Sequence, residues 1–130
     1  FGLGIELNGL VNSSLYRETK YHDPIEITNE MTYKLKIEEK CDLIICVSHL
    51  GHTYPDDKIS DLKLGSLTSD IDLIIGGHTH TLLKKPEIIK NSKNKDVIIN
   101  QVGSNGVYVG KIDFNFSNFN INSSDSLVEV

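Results

Sequence analysis

The sequence contains little cysteine, no long hydrophobic run and no block of basic residues. Its two cysteines, Cys41 and Cys46, stand at opposite ends of one apolar segment and cannot reach each other, which excludes a disulfide-stapled scaffold. The apolar runs all fall well short of the roughly 18 residues that a membrane-spanning helix needs. A net charge of −5 without a basic cluster argues against a nucleic-acid duplex or an anionic membrane surface as partner.

The remaining composition is that of one globular domain. The chain has 130 residues, of which 38% are hydrophobic and 24% are charged, so a packed core is expected and disorder is not. The chain opens at Phe1 without an initiator methionine, and we expect that residues precede it in the whole protein. Any targeting signal would lie among them, so these residues do not indicate the compartment.

The first forty residues predict a strand, a loop and a helix. Phe1–Leu7 is an apolar, glycine-rich run that suits a buried strand, and the polar segment Asn8–His22 is predicted to be a loop. Asp23 is a favourable N-cap before Pro24, so a helix is expected over residues 24–39. Its apolar face is predicted from residues spaced four apart: Ile27, Met31 and Leu35.

The middle of the chain predicts a parallel crossover unit. Leu43–Val47 and Ile71–Ile75 are continuous apolar runs, a pattern typical of strands covered on both faces. The segment Lys58–Ser69 between them predicts a helix. Because a strand, a helix and a strand in this order form a right-handed crossover with parallel strands, the predicted fold class is α/β.

The last third of the chain predicts antiparallel strands. We expect strands over Pro86–Lys90, Val97–Val102 and Gly106–Phe116, and we expect them to build a second sheet. The turn Gly103–Gly106 is interpreted as a hairpin connection, or as a segment that approaches the functional site. Leu127–Val130 is predicted to be a final strand or a tail.

Histidines follow both of the predicted parallel strands. His49 comes after the first strand, and His78 and His80 come after the second, next to Gly76 and Gly77. The carboxyl ends of parallel strands meet at one edge of a sheet, which is where ligands bind in open α/β folds. Since neutral imidazole is a good ligand for cations such as Zn²⁺, we predict that His49, His78 and His80 bind metal.

Other polar residues have simpler interpretations. His22 is predicted to be a surface residue, and Asp56 and Asp57 a solvated pair in a loop. His52 is either a polar surface residue or a group that supports the metal ligands or faces the substrate. A purely structural α/β domain with incidental histidines remains an alternative to a metal site.

Three segments resemble the calcineurin-like metallophosphoesterases, specifically their 5′-nucleotidase branch. They are Cys41–Gly51 (CDLIICVSHLG), Asp70–Thr81 (DIDLIIGGHTHT) and Asn100–Phe114 (NQVGSNGVYVGKIDF). The opening FGLGIELNGLV and the segment YHDPIE fit the same branch, so the resemblance extends over almost the whole chain. It implies a partial four-layer α/β–β/α sandwich in which a parallel crossover unit precedes antiparallel strands. Residues 1–130 would then be the carboxyl-terminal half of a single catalytic domain whose amino-terminal half is missing.

The resemblance also implies roles for individual residues. His49 and His78 would bind the second of two metals, and His80 would bind the first. The bridging aspartate, the remaining ligands and the catalytic histidine of the family would precede Phe1, so no catalytic residue is expected within this chain. Residues predicted to support the ligands or to face the substrate are His52, Gly77, Thr79 and Asn105.

The function implied by the resemblance is hydrolysis of a nucleoside 5′-monophosphate. Two divalent metal ions, Zn²⁺ or Mn²⁺, would activate a hydroxide that attacks phosphorus. The alternatives are phosphodiester or nucleotide-sugar hydrolysis at the same site, or a metal-binding fragment without catalysis. The implied partners are a nucleotide or another small phosphoester and a separate 5′-nucleotidase carboxyl-terminal domain, and the implied location is periplasmic or extracellular. By itself the chain is expected to bind metal weakly and to hydrolyse nothing at a useful rate.

Overall fold

A five-stranded sheet organises the chain, whose computed structural model describes residues 1–117 and 120–129, with side chains over 1–116 and 126–128. The strand order is β1-β2-β3-β5-β4, and all neighbours are parallel except β4 and β5, which are antiparallel. This arrangement confirms the α/β class. The five strands are β1 (Gly2–Leu3), β2 (Ile45–Ser48), β3 (Leu73–Ile75), β4 (Glu87–Lys90) and β5 (Asp96–Asn100).

The crossover unit predicted for the middle of the chain is confirmed. Helix α3 (Asp61–Leu67) connects the parallel strands β2 and β3 and is shorter than the predicted Lys58–Ser69. It begins late because the side chain of Ser60 caps it by accepting a hydrogen bond from the Lys63 N–H. It ends where Thr68 adopts an extended backbone.

The hydrophobic core lies on the face of the sheet that α3 covers. Cys46, Ile74 and Ile99 stand in register on three neighbouring strands, and all three are fully buried. Leu64 from α3 and Leu50 from the loop after β2 complete the centre of this cluster. Burial of each aliphatic side chain of this size stabilises the fold by about 1.5–3 kcal/mol. This packing holds β2 and β3 in place, and the histidines follow directly after these two strands.

Helix α2 (Pro24–Tyr33) begins at the predicted residue and changes its winding near its end. The Asp23 carboxylate accepts hydrogen bonds from the N–H groups of Ile25 and Glu26, at 2.8 and 3.0 Å, which satisfies two otherwise unpaired donors. The segment Lys34–Glu38 continues it as a π-helix. The predicted extent of 24–39 is therefore correct, while the winding of its last turn was not predictable from spacing.

The buried stripe of this helix lies next to the predicted apolar face. The buried stripe consists of Pro24, Thr28 and Thr32, whereas the predicted residues are only half-buried. Threonine has nearly the shape of valine, so Thr28 and Thr32 can pack in the core. A search for aliphatic residues overlooks them and finds the neighbouring positions instead. The half-buried residues of the predicted face are Ile27, Met31 and Leu35.

The predictions for the first 22 residues are correct only in part. The predicted strand Phe1–Leu7 contracts to the two residues of β1. The predicted loop Asn8–His22 contains a short helix, α1 (Ser13–Tyr16). It forms because the side chain of Asn12 accepts a hydrogen bond of 3.0 Å from the Ser14 N–H.

The late strands do not all belong to a second sheet, so that expectation is wrong for β4 and β5. The run Val97-Ile98-Ile99 is continuously apolar like β2 and β3, and β5 accordingly lies between β3 and β4 in the first sheet. A separate antiparallel pair is formed by β6 (Tyr108–Ser117) and β7 (Asn120–Glu129). The final strand begins earlier than predicted, and Val130 lies outside the described residues.

The turn Gly103–Gly106 is not a hairpin connection. It joins β5 of the first sheet to β6 of the second, so the strands on its two sides do not pair with each other. Within the described part of the chain, no helix has the length and hydropathy required to cross a membrane.

Candidate metal centre

The two histidine-bearing loops meet at the carboxyl ends of β2 and β3. Val47 pairs with Ile75, so the chain positions two residues further on, His49 and Gly77, stand side by side. The imidazole rings of His49 and His78 lie edge to face with their centroids 5.2 Å apart. The structure thus places these two histidines together at the predicted edge of the sheet.

His49 and His78 fit a metal ion as part of a donor set. Two neighbouring imidazoles are suitable ligands for a borderline divalent cation, which takes four or more donors in proteins. Among the described residues, no group of three or more His, Cys, Asp or Glu side chains is close enough together to hold a metal ion. His80 therefore does not complete a three-donor cluster with the other two, and its assignment to a metal stays a prediction.

The electrostatic surroundings favour the ligand form of His78. Its pKa is lowered first by partial burial and then by repulsion from His49, Lys58 and His80. A lowered pKa keeps the imidazole neutral near neutral pH, and only the neutral ring can donate a nitrogen lone pair to a cation.

The loop that carries His78 and His80 has a strained backbone. His78 has a φ of +69° and His80 a φ of +53°, both in the left-handed region that non-glycine residues seldom adopt. The Thr79 N–H donates a hydrogen bond of 2.9 Å to the Gly77 carbonyl, which closes a γ-turn around His78. Strain of this kind costs of order 1–3 kcal/mol per residue and persists only where surrounding contacts hold it.

Gly77 allows the two loops to approach each other. A Cβ atom at this position would lie 3.0 Å from the Nδ1 atom of His49 and 3.4 Å from the carbonyl oxygen of Ser48. A side chain here would require the imidazole of His49 or the loop itself to shift by a few tenths of an ångström. The supporting role of Gly77 stays a prediction, and the contribution that its position allows is a steric one.

A buried amide beneath the loop was missed by the sequence interpretation. Gln101 follows directly after β5, is only 2% exposed, and hydrogen-bonds to the loop through both ends of its amide. The available signal was its position, because it follows a continuously apolar strand just as the histidines follow β2 and β3. That position indicates a role near the histidines only once β5 is known to lie next to β3.

His52 and Thr79 connect the two loops. The backbone N–H of His52 donates a hydrogen bond of 3.0 Å to the hydroxyl of Thr79. The ring of His52 is buried, and its Nε2 atom lies 2.9 Å from a carboxylate oxygen of Glu87 on β4. These contacts place both residues where they can support the ligand loops, whereas Asn105 is exposed in the turn before β6.

A buried carboxyl group lies beneath the same edge of the sheet, and sequence interpretation missed it as well. Asp61 is fully buried at the start of α3, and its Oδ1 atom accepts a hydrogen bond of 2.5 Å from the Ser48 hydroxyl. Its Oδ2 atom has no hydrogen-bond partner among the described residues and lies so close to Gly76 that a Cβ there would collide with it. Burial raises the pKa of Asp61 to about 6, and the hydrogen bond from Ser48 only partly opposes this rise.

Comparison with known proteins finds the same kind of enzyme repeatedly. The chain is 33% identical over 125 residues to the trifunctional nucleotide phosphoesterase protein YfkN of Bacillus subtilis, an alignment that covers 96% of this chain. It is 33% identical over 117 residues to a 5′-nucleotidase of Vibrio vulnificus, covering 75% of this chain. The crystal structure of a 5′-nucleotidase precursor from Thermus thermophilus superimposes with a TM-score of 0.72 at 27% identity, over 83% of this chain. No family model matches the chain.

The chain spans only a small share of each of these proteins. It corresponds to 8% of YfkN, 21% of the Vibrio 5′-nucleotidase and 23% of the Thermus protein. The likeness therefore concerns one segment of each relative, and in this chain that segment contains the two histidine loops.

Proposed function

Because this chain belongs to the 5′-nucleotidase branch of the metallophosphoesterases, we propose that it supplies part of the metal centre of a nucleotide phosphohydrolase. The reaction is the hydrolysis of a nucleoside 5′-monophosphate to nucleoside and phosphate. The observation that carries the proposal is that the rings of His49 and His78, in the loops after two adjacent parallel strands, have their centroids 5.2 Å apart. The names of the relatives, which are nucleotidases and a nucleotide phosphoesterase, support the substrate class.

The metal requirement follows from the family and is compatible with the donors present. Two divalent cations, when bound, hold the phosphate oxygens and activate water for attack on phosphorus. His49 and His78 would each offer a ring nitrogen, and His80 would serve the other cation. The remaining donors, including any carboxylate that bridges the cations, would come from outside the 130 residues, which is why the activity belongs to the whole protein. We propose Zn²⁺ or Mn²⁺, since mixed imidazole and carboxylate sites accept both.

The whole protein carries further proposals that this chain supports less directly. Residues 1–130 would form one part of a single catalytic domain, and a separate carboxyl-terminal domain would recognise the base and sugar. A location outside the cytoplasm is supported by the name of the Thermus relative, which is that of a precursor. Fractionation of cells that express the full-length protein would test that location.

The decisive experiment measures metal-dependent release of phosphate from AMP by the full-length protein. We expect His49→Ala and His78→Ala each to lower the rate by more than about 100-fold, because each removes a donor from the metal centre. His22→Ala is the matched control, since that histidine is exposed and lies on a different loop. Unchanged activity in both ligand variants would overturn the proposal.

The same assay separates the alternative functions. A diester such as bis(p-nitrophenyl) phosphate and a nucleotide sugar such as UDP-glucose are offered in place of AMP, with the same three variants. Turnover of either in preference to AMP would replace the substrate class and leave the metal centre in place. No metal-dependent turnover of any of the three would leave a metal-binding segment without catalysis.

A further inference from the structure

One side chain makes three hydrogen bonds to the loop that presents His78 and His80. The Oε1 atom of Gln101 accepts from the backbone N–H of Thr81 and, at 3.0 Å, from the hydroxyl of Thr79. Its Nε2 atom donates to the carbonyl oxygen of Gly77 at 2.6 Å. The loop is therefore held before, between and after its two histidines by a single buried amide.

These contacts oppose the strain in the loop. The positive φ angles of His78 and His80 are unfavourable for residues with a Cβ, so the free loop would relax toward other backbone conformations. The amide of Gln101 is 2% exposed and projects from the end of a core strand, so water does not compete for its hydrogen bonds and its backbone cannot move with the loop.

The contacts of Gln101 extend to the other histidine loop. The hydroxyl of Thr79 donates to Gln101 and at the same time accepts from the backbone N–H of His52. Gly77, whose carbonyl accepts from Gln101, is also the residue against which the ring of His49 lies. A change at Gln101 therefore reaches His49 and His78 together, although within the described part of the chain Gln101 makes no hydrogen bond to either ring.

We propose that Gln101 is a positioning residue that holds the strained His78–His80 loop in its metal-binding conformation. This inference rests on the proposed function, because it concerns the same metal centre. Loss of residues that orient metal ligands commonly weakens metal binding 10- to 100-fold. Gln101 therefore acts on metal affinity through the loop, and its amide neither binds the cation nor contacts the substrate.

The test compares Gln101→Met with Asn91→Leu in the full-length protein. Both changes replace a buried amide by an apolar side chain of similar size. Asn91 is a matched control because it is 6% exposed and its Oδ1 atom accepts from the N–H groups of Lys93 and Lys95, in the turn between β4 and β5. Zn²⁺ affinity is measured by competition with a chromophoric chelator, and backbone exchange over residues 77–83 by hydrogen–deuterium mass spectrometry on the metal-free protein.

We expect Gln101→Met to weaken Zn²⁺ binding by 10- to 100-fold and to accelerate amide exchange in residues 77–83 by tenfold or more. Asn91→Leu should lower the melting temperature without changing either quantity. A Zn²⁺ affinity for Gln101→Met within threefold of the unaltered protein would overturn the inference.

Two further measurements separate the possible failures. If Gln101→Met does not fold, the Zn²⁺ affinity of Thr79→Val is measured instead, because this change keeps the shape of the side chain and removes the hydroxyl that Gln101 binds. An unchanged Zn²⁺ affinity of Thr79→Val would then overturn the inference. His49→Ala reports on the proposed metal centre itself. If His49→Ala leaves Zn²⁺ binding unchanged, the metal centre is wrong and the role of Gln101 falls with it. If His49→Ala abolishes binding and Gln101→Met does not weaken it, only the role of Gln101 is wrong.

Discussion

The buried carboxyl group of Asp61 makes a quantitative prediction about stability and pH. Its side chain is fully buried, one oxygen is bonded to the Ser48 hydroxyl, and burial raises its pKa from 3.8 to about 6. The substitution Asp61→Asn keeps an oxygen for Ser48 and removes the proton equilibrium. The pH dependence of the difference in stability between the two proteins therefore isolates the titration of this one group.

The size of the effect follows from linkage between protonation and folding. A pKa that is raised from 3.8 to about 6 on folding corresponds to about 3 kcal/mol. Well below pH 4 the Asp61 carboxyl is protonated in both the folded and the unfolded chain, so its burial costs nothing. Above pH 6 it is ionised in both, and burial of the ion lowers the free energy of unfolding by that amount. The contribution of Asp61 to stability therefore decreases as the pH rises from 4 to 6.

The assay is urea denaturation of the chain and of Asp61→Asn, in chelator, at half-unit steps from pH 4 to pH 7. We expect the free energy of unfolding of Asp61→Asn, relative to the unaltered chain, to increase by about 2 kcal/mol across this range, because the carboxyl of the unfolded chain is already more than half ionised at pH 4. The absolute difference at any one pH matters less, because the new amide N–H₂ also needs a partner where Oδ2 has none. Asp57→Asn is the control, since that exposed carboxylate can be removed with an effect within about 0.5 kcal/mol. A relative stability that changes by less than 1 kcal/mol between pH 4 and pH 7 would refute the reasoning.

Two further predictions concern the contacts around the histidine loops. Gly77→Ala should weaken Zn²⁺ binding by the full-length protein, because the added methyl group would lie 3.0 Å from Nδ1 of His49. Gly4→Ala is the control and should leave the affinity unchanged, since its methyl group would have no described neighbour within 4 Å. Equal Zn²⁺ affinities in both variants would contradict the steric argument. A double-mutant cycle between His52→Ala and Glu87→Ala, followed by urea denaturation, should give a coupling free energy of about 0.5–1.5 kcal/mol, because the pair is bonded at 2.9 Å but Glu87 is partly exposed. Additive effects in that cycle would show that the pair does not couple the loop to β4.

The parts of the fold that were predictable are those in which one local pattern has one structural meaning. The runs Leu43–Val47 and Ile71–Ile75 indicate buried parallel strands, and the position of His49 and His78 after them follows from that alone. The start of α2 was equally predictable, because Asp23 and Pro24 form a local N-terminal signal.

The parts that could not be predicted depend on partners distant in sequence. The apolar run of β5 identifies a strand but not its neighbours, so its place beside β3 and the site role of Gln101 required the assembled sheet. Asp61 has the sequence pattern of an ordinary acidic residue in the first turn of a helix, and only the packing of α3 against the sheet shows that it is buried. The burial of Thr28 could not be predicted either, because a polar residue is not expected in a core although the shape of threonine suits one.

The parallel pairing of β2 and β3 has a consequence for how this segment can diverge. Neighbouring strands run about 4.8 Å apart in any sheet, and the rings of His49 and His78 are separated by nearly that distance. The backbone ladder, and not the 28 intervening residues, therefore brings the two histidine loops side by side, and the turn around His78 sets the position of its ring. Insertions or deletions in the surface stretch around Asp56 should therefore be tolerated through evolution or engineering, because they leave the pairing of β2 and β3 unchanged.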